Sequence, residues 1–144
     1  MSTRAVLIAV SLLVLAGILV VGLLPTRVDG GVEHQVRAFV DGLRAAGAPP
    51  WVDYDLIDFL ANIGFFIPIG AIAAALLPWR MWWLAIPAAA VLSGAVELAQ
   101  AAFLPQRYAS ITDVLANTLG ATIGALIAAA IRSVRMRRPP GEKP

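Results

Sequence analysis

The stretch Thr112–Ile131, TDVLANTLGATIGALIAAAI, carries a single charge, Asp113, at its second position. At about 1.5 Å per residue a helix of this length covers about 30 Å, the thickness of a bilayer's hydrocarbon core. Ala116, Gly120, Gly124 and Ala128 recur every fourth residue and so line one face with small side chains, which reads as a close helix-packing seam. The same face is a candidate contact for a homo-oligomer through Gly120 and Gly124.

The rest of the chain repeats this character. Of 144 residues, 60% are hydrophobic and only 14% charged, and the mean hydropathy is +0.82. An ordinary soluble domain is about 45–50% apolar and about 25% charged. A chain this short keeps much of its surface exposed and cannot hide the excess in a core. The absence of cysteine removes a disulfide scaffold. The pI of 9.7 stands beside a net charge of only +2, and the basic residues gather at one end, so no nucleic-acid partner is expected. The lipid bilayer is the matching solvent.

Working outward, Pro105-Gln106-Arg107-Tyr108 is a turn, and about Trp82 to Leu104 is a further span interrupted by Pro87, Glu97 and Gln100. Pro78-Trp79-Arg80-Met81 is a second turn, and about Leu56 to Leu77 is a span containing Asn62 and Pro68. The two prolines read as kinks, which bundle contacts tolerate. Ala5 to Leu24 is long and free of charge. It exceeds the about 7–15 apolar residues of a secretory signal, and Val20-Val21-Gly22-Leu23-Leu24 lacks a small-x-small cleavage pattern, so it reads as a retained span or uncleaved anchor. Between them, Val32, Val36, Phe39 and Leu43 recur at helical spacing opposite Glu33, Arg37, Asp41 and Arg44. That pattern predicts a short amphipathic helix on the membrane surface, broken by Gly47, Pro49 and Pro50. Trp51 and Tyr54 suit the headgroup layer.

The expected architecture is therefore an all-α integral membrane protein: a four-transmembrane-helix bundle with a short amphipathic surface helix between the first and second spans. Residues 1–24 form the first transmembrane helix or signal anchor, 25–54 an extracytoplasmic amphipathic segment, 55–131 a three-helix transmembrane core and 132–144 a basic cytoplasmic tail. Arg4, Arg80, Arg132, Arg135, Arg137, Arg138 and Lys143 fall on one side of this arrangement. Basic residues concentrate on the cytoplasmic side, so the N- and C-termini are expected in the cytoplasm of a multi-pass protein of the cytoplasmic membrane. Trp79, Trp82 and Trp83 mark that interface, and the tail suits anionic lipid.

The few polar residues inside the spans converge on one depth. Asp58 and Asn62 begin the second span, Glu97 and Gln100 approach the end of the third, and Asp113 and Asn117 begin the fourth. Each pair is three or four residues apart and shares a helix face. Arg107 lies in the turn above them. Together they outline a polar pocket open to the outer leaflet. Each member also has a structural reading. Asp53 and Asp55 suit a helix N-terminus, Asp58 suits either role, and Asp113 suits a cap or an ion pair with Arg107. Asn62, Gln100 and Asn117 suit interhelical hydrogen bonds of about 0.6–2 kcal/mol each. Glu97 is the exception, since a carboxylate at the bilayer centre costs about 2.5–3.5 kcal/mol or more and marks a ligand site or pathway. His34 has no Cys, His or carboxylate at ligand spacing, so neither a metal nor a cofactor is expected. No phosphate-loop, nucleophile-elbow, dinucleotide or zinc-protease pattern occurs.

The stretch Glu97-Leu98-Ala99-Gln100, then Arg107, then Asp113-Val114-Leu115-Ala116-Asn117-Thr118-Leu119-Gly120 resembles the E-x-x-Q…R…D-x-x-x-N-x-x-G signature of the VanZ-like family of small bacterial membrane proteins. Asn62-Ile63-Gly64-Phe65-Phe66-Ile67-Pro68-Ile69-Gly70 is similar to that family's N-x-x-x-F-x-P-x-G segment. The resemblance covers about residues 55–131. Some members carry an Asp-Lys pair and a histidine at the start of the second span; here no Lys follows Asp58 and Asn62 takes the polar position, so no histidine role transfers. The family is named for a member linked to teicoplanin resistance, and the resemblance implies a role in the bacterial cell envelope and in tolerance of glycopeptide-type antibiotics.

Three readings of the pocket follow. In the first, Asn62, Glu97, Gln100, Arg107, Asp113 and Asn117 bind a membrane lipid headgroup or a lipid-linked envelope component. In the second, the protein is a membrane-embedded enzyme on a lipid-linked substrate, with Glu97, Arg107 and Asp113 the candidate catalytic residues, Glu97 as acid or base and Arg107 stabilising anionic charge. In the third it is a small transporter using a protonatable Glu97. The third is weakest, because the second and fourth spans carry no charged or amide side chain below Asn62 and, until the terminal arginines, below Asn117.

Overall fold

The computed structural model describes residues 30–103 and 109–137, with side chains from His34 onward, and Ala9 alone upstream. The first expected span, Arg107 with its turn, and the end of the tail lie outside the described residues. Among the described residues the chain is all-helical and without strands. Helix α1 covers Gly30–Ala45, α2 Tyr54–Leu76, α3 Ala85–Phe103 and α4 Ile111–Arg137, with a 3-10 turn at Trp79–Leu84 between α2 and α3. Tyr54–Leu76, Trp79–Phe103 and Ile111–Arg137 are long and apolar enough to cross a membrane.

Helix α1 ends where the sequence places its breakers. Gly47 has φ 98, a conformation open to glycine, and the N–H groups of Gly47 and Ala48 bond back to Arg44 O and Leu43 O at 3.0 and 2.9 Å. Its inward face differs by one position from the expected stripe: Val40 is buried at 4% exposure, while Phe39 points outward at 59%. Val36, Val40 and Leu43, spaced i, i+4 and i+7, form an overlapping helical stripe, and it is this one that turns towards the protein.

Helix α2 begins at Asp53, whose Oδ1 accepts the Leu56 N–H at 2.9 Å, the capping role expected of it. The helix runs on through Pro68. At its other end Arg132, from α4, donates to Ala74 O and Leu77 O at 3.3 and 2.8 Å and lies over the Trp79 ring at 5.8 Å. These bonds satisfy carbonyls that a helix C-terminus leaves unpaired. Pro87 is no kink in mid-helix. It falls in the first turn of α3, where a missing N–H costs nothing.

The bundle is built on α4, which packs extensively against α2 and also against α3, whereas α2 and α3 touch lightly. Its core is made of small residues. Phe66, Ala89 and Ala121 form one cluster, and Ala74, Ala85 and Ala125 another. A Cβ on Gly70 would overlap the backbone of Ala121, one on Gly120 would overlap Ile63 O, and one on Gly124 would overlap Ile67 O. The seam at Gly120 and Gly124 is thus taken by α2 of the same chain. Large side chains point the other way: Phe103, Val91 and Leu98 are 77%, 73% and 69% exposed. Small residues inside and large apolar ones outside is the arrangement of helices solvated by lipid.

Candidate functional site

The polar exceptions to this alanine core sit on one stripe of α3 and the facing turn of α4. Ala89, Ser93, Glu97 and Gln100 are the inward positions of α3, spaced i, i+4, i+8 and i+11. Among the described residues, Ser93, Glu97, Gln100 and Asn117 are the buried polar side chains, at 2%, 7%, 8% and 8% exposure. Glu97 precedes the end of α3 and Asn117 follows the start of α4 by about 9 Å each, so both lie at one depth from the same end. Asn62 lies about 12 Å into α2 from that end and is half-buried.

Two hydrogen bonds tie the site across helices. The Asn117 amide donates through Nδ2 to Ser93 Oγ at 2.8 Å, while Asn117 Oδ1 is buried without a partner. The carboxylate of Glu97 accepts the backbone N–H of Ser110 through Oε2 at 2.7 Å. Ser110 in turn caps α4. Its hydroxyl donates to Asp113 Oδ1 at 2.9 Å, and its Oγ accepts the Asp113 N–H at 3.1 Å. Ser110 is thus the N-cap, and Asp113, in the first turn, holds the Ser110 hydroxyl and does not cap the helix itself. Asp58 is exposed on α2.

The structure therefore brings Glu97, Gln100 and Asn117 together as buried groups at one end of the bundle and keeps Asn62 and Asp113 half-buried there. Arg107 lies outside the described residues. Ser93 and Ser110 went unread in the sequence. Ser93 carried a signal, standing one helical turn before Glu97 on the same face; Ser110 carried one too, in Ser110-Ile111-Thr112-Asp113 ahead of an apolar run.

A second polar grouping lies at the same end, outside the bundle. A cavity of 290 Å³ is lined by Arg37, Asp41 and Arg44 of α1 together with Asp53, Tyr54 and Asp55. Arg44 spans it as a brace, donating through Nε to Val52 O at 3.1 Å and through Nη2 to Pro50 O at 2.9 Å. Arg37 lies 4.9 Å from the centre of the Tyr54 ring. His34 is exposed, and among the described residues no three His, Cys, Asp or Glu gather as a metal site.

No curated protein and no solved structure matches the chain. The sequence model of the VanZ/LLP1 family matches residues 8–132, reaching further upstream than the motif-bearing stretch and taking in most of the first apolar run. The helices that bear Glu97, Gln100 and Asn117 fall within the match, and the chain belongs to the VanZ/LLP1 family.

Proposed function

We propose that this is a multi-pass protein of the bacterial cytoplasmic membrane that binds a polar lipid headgroup, or the headgroup of a lipid-linked envelope component, at a site open to the outer leaflet. Residues 5–24 complete a four-span bundle, and α1 lies along the outer surface between the first two spans. The observation that carries this reading is the burial of Ser93, Glu97, Gln100 and Asn117 on facing helices at one depth, in a core otherwise made of alanine and glycine. Packing alone is served by the small-residue seam, and a buried carboxylate inside a membrane span is expensive to keep. Arg107, which stands between α3 and α4 in the sequence, supplies the cation for a phosphate or carboxylate, with Asn62 and Asp113 at the rim. Binding is favoured over turnover because the polar residues buried with Glu97, namely Ser93, Gln100 and Asn117, are a hydroxyl and two amides, suited to holding a headgroup. Occupancy of such a site by an envelope lipid would underlie tolerance of glycopeptide-type antibiotics.

The test is native mass spectrometry of the purified protein with total bacterial lipid, comparing wild type with Glu97→Gln and Arg107→Ala. A headgroup-specific adduct retained by wild type and lost in both variants is expected. Equal adducts in all three, or unchanged antibiotic tolerance in cells making Glu97→Ala and Arg107→Ala at normal levels, would sink the proposal.

A further inference from the structure

The end of the bundle away from Glu97 is basic. Arg80, Arg132, Arg135 and Arg137 stand there, whereas every acidic side chain among the described residues belongs to the Glu97 end. Glu97 is the deepest of those acids, and it lies about 18 Å along α3 from Ala85. Arg132 organises the basic end. Its guanidinium holds Ala74 O and Leu77 O and lies over the Trp79 ring, which fastens the end of α2 and the start of the 3-10 turn to α4. Arg80 follows Trp79 directly in that turn. Arg135 stands three residues beyond Arg132, on the same side of α4 and about 4.5 Å further along. Both are exposed, while Arg137 is turned about 140° from Arg132 around the helix. The depth is that of a headgroup layer. Helix α4 has 27 residues, about 40 Å, and outruns a hydrocarbon core of about 30 Å by its arginine-bearing turns. Met81 and Trp83 are exposed in the same turn as Arg80, the mixed surroundings found at a membrane–water interface.

We infer that Arg80 and Arg135 together hold the phosphate of an anionic phospholipid, in the leaflet opposite the Glu97 site. Each guanidinium offers paired N–H donors that match two phosphate oxygens. The lipid is net anionic because a zwitterionic headgroup would bring an ammonium for which no described acid stands at this end. Met81 and Trp83 meet its glycerol and upper acyl chains, which a soluble phosphate lacks. The inference uses no residue of the Glu97 site, so the two stand or fall separately.

The experiment uses the full chain in neutral detergent with equal amounts of phosphatidylglycerol, phosphatidylethanolamine and phosphatidylcholine, and native mass spectrometry reads the bound lipid. It is run on wild type and on Glu97→Gln, which removes the site proposed above. Phosphatidylglycerol is expected to be retained by Glu97→Gln about tenfold over either zwitterionic lipid. An arginine beside an anionic headgroup is worth about fivefold in affinity. Adding Arg80→Gln or Arg135→Gln should therefore cost about fivefold each, and Arg137→Gln, on another side of α4, no more than about twofold. All three arginines are exposed, so these replacements leave the bundle contacts in place. The same three replacements in wild type decide the matter if Glu97→Gln does not fold. Equal retention of the three lipids by Glu97→Gln, or equal losses in Arg135→Gln and Arg137→Gln, overturns the inference. Loss of phosphatidylglycerol in Glu97→Gln alone also overturns it and leaves the Glu97 site standing. Displacement by an equal concentration of inorganic phosphate would remove the lipid as occupant.

Discussion

The backbone N–H of Ser110 donates to Oε2 of Glu97 at 2.7 Å, joining the end of α3 to the start of α4. The contact uses a carboxylate that a purely apolar packing scheme would not place there. It also separates two jobs within one residue. The Ser110 side chain serves the α4 cap through Asp113, while its main chain serves Glu97.

That division predicts an asymmetric pair of variants. Ser110→Ala removes the cap and keeps the N–H, so it should lower stability by about 1 kcal/mol without disturbing lipid adducts. Glu97→Ala removes the carboxylate and should abolish the adducts. Thermal unfolding in detergent read alongside native mass spectrometry separates the two. Loss of adducts in Ser110→Ala would show that the cap and the site are one unit.

The Asn117 to Ser93 bond crosses from α4 to α3 between two buried side chains. Interhelical bonds of this kind are worth about 0.6 kcal/mol on average and about 1.7 kcal/mol at most, because the separated helices also find partners. A double-mutant cycle with Ser93→Ala and Asn117→Leu should return a coupling within that range. A coupling near zero would mean that Asn117 is held in place by something other than Ser93.

Close approach of α2 and α4 makes the glycines unequal. In Gly124→Ala the new methyl group meets Ile67 O and lies 2.7 Å from the Ala71 amide nitrogen, so backbone must move. Overpacking of this type costs about 1–3 kcal/mol. Gly94→Ala, with nothing within 4 Å, should instead be neutral or gain about 0.5–1 kcal/mol from lost helix-interior flexibility. Denaturation in mixed micelles would show the two moving in opposite directions. A neutral Gly124→Ala would contradict the packing described.

The membrane character, the three described spans and the shared depth of Glu97 and Asn117 were legible because each follows from hydropathy or helical period. Asp53 was legible as a cap for the same local reason. The burial of Val40 was not legible, because the surface helix offers two overlapping apolar stripes and only contact with the bundle selects the one that holds Val40. Ser93 was missed because a lone serine in a lipid-facing sequence is neutral by composition; its importance comes from Asn117 on another helix. The bond from Ser110 to Glu97 depends on how the chain returns between α3 and α4, which no periodicity encodes. Pro87 read as a kink because the sequence does not mark where the 3-10 turn gives way to α3.

Orientation can be measured directly, because the chain has no cysteine. Ala45 ends α1 beside the start of α2, Arg80 lies in the 3-10 turn after α2, and Arg137 ends α4. One span separates Ala45 from Arg80 and two separate Arg80 from Arg137, so Arg80 and Arg137 must share a side that Ala45 does not. The proposed orientation puts that shared side in the cytoplasm, on the concentration of arginine at Arg80 and in the tail. Single cysteines at the three positions should therefore divide under a membrane-impermeant thiol reagent: Ala45→Cys labels in intact cells, Arg80→Cys and Arg137→Cys only after permeabilisation. Labelling of Arg80→Cys and Arg137→Cys from opposite sides would break the arrangement of spans. Labelling of both from outside would keep the spans, invert the protein and turn the Glu97 site towards the inner leaflet, where an outer-leaflet ligand could not reach it.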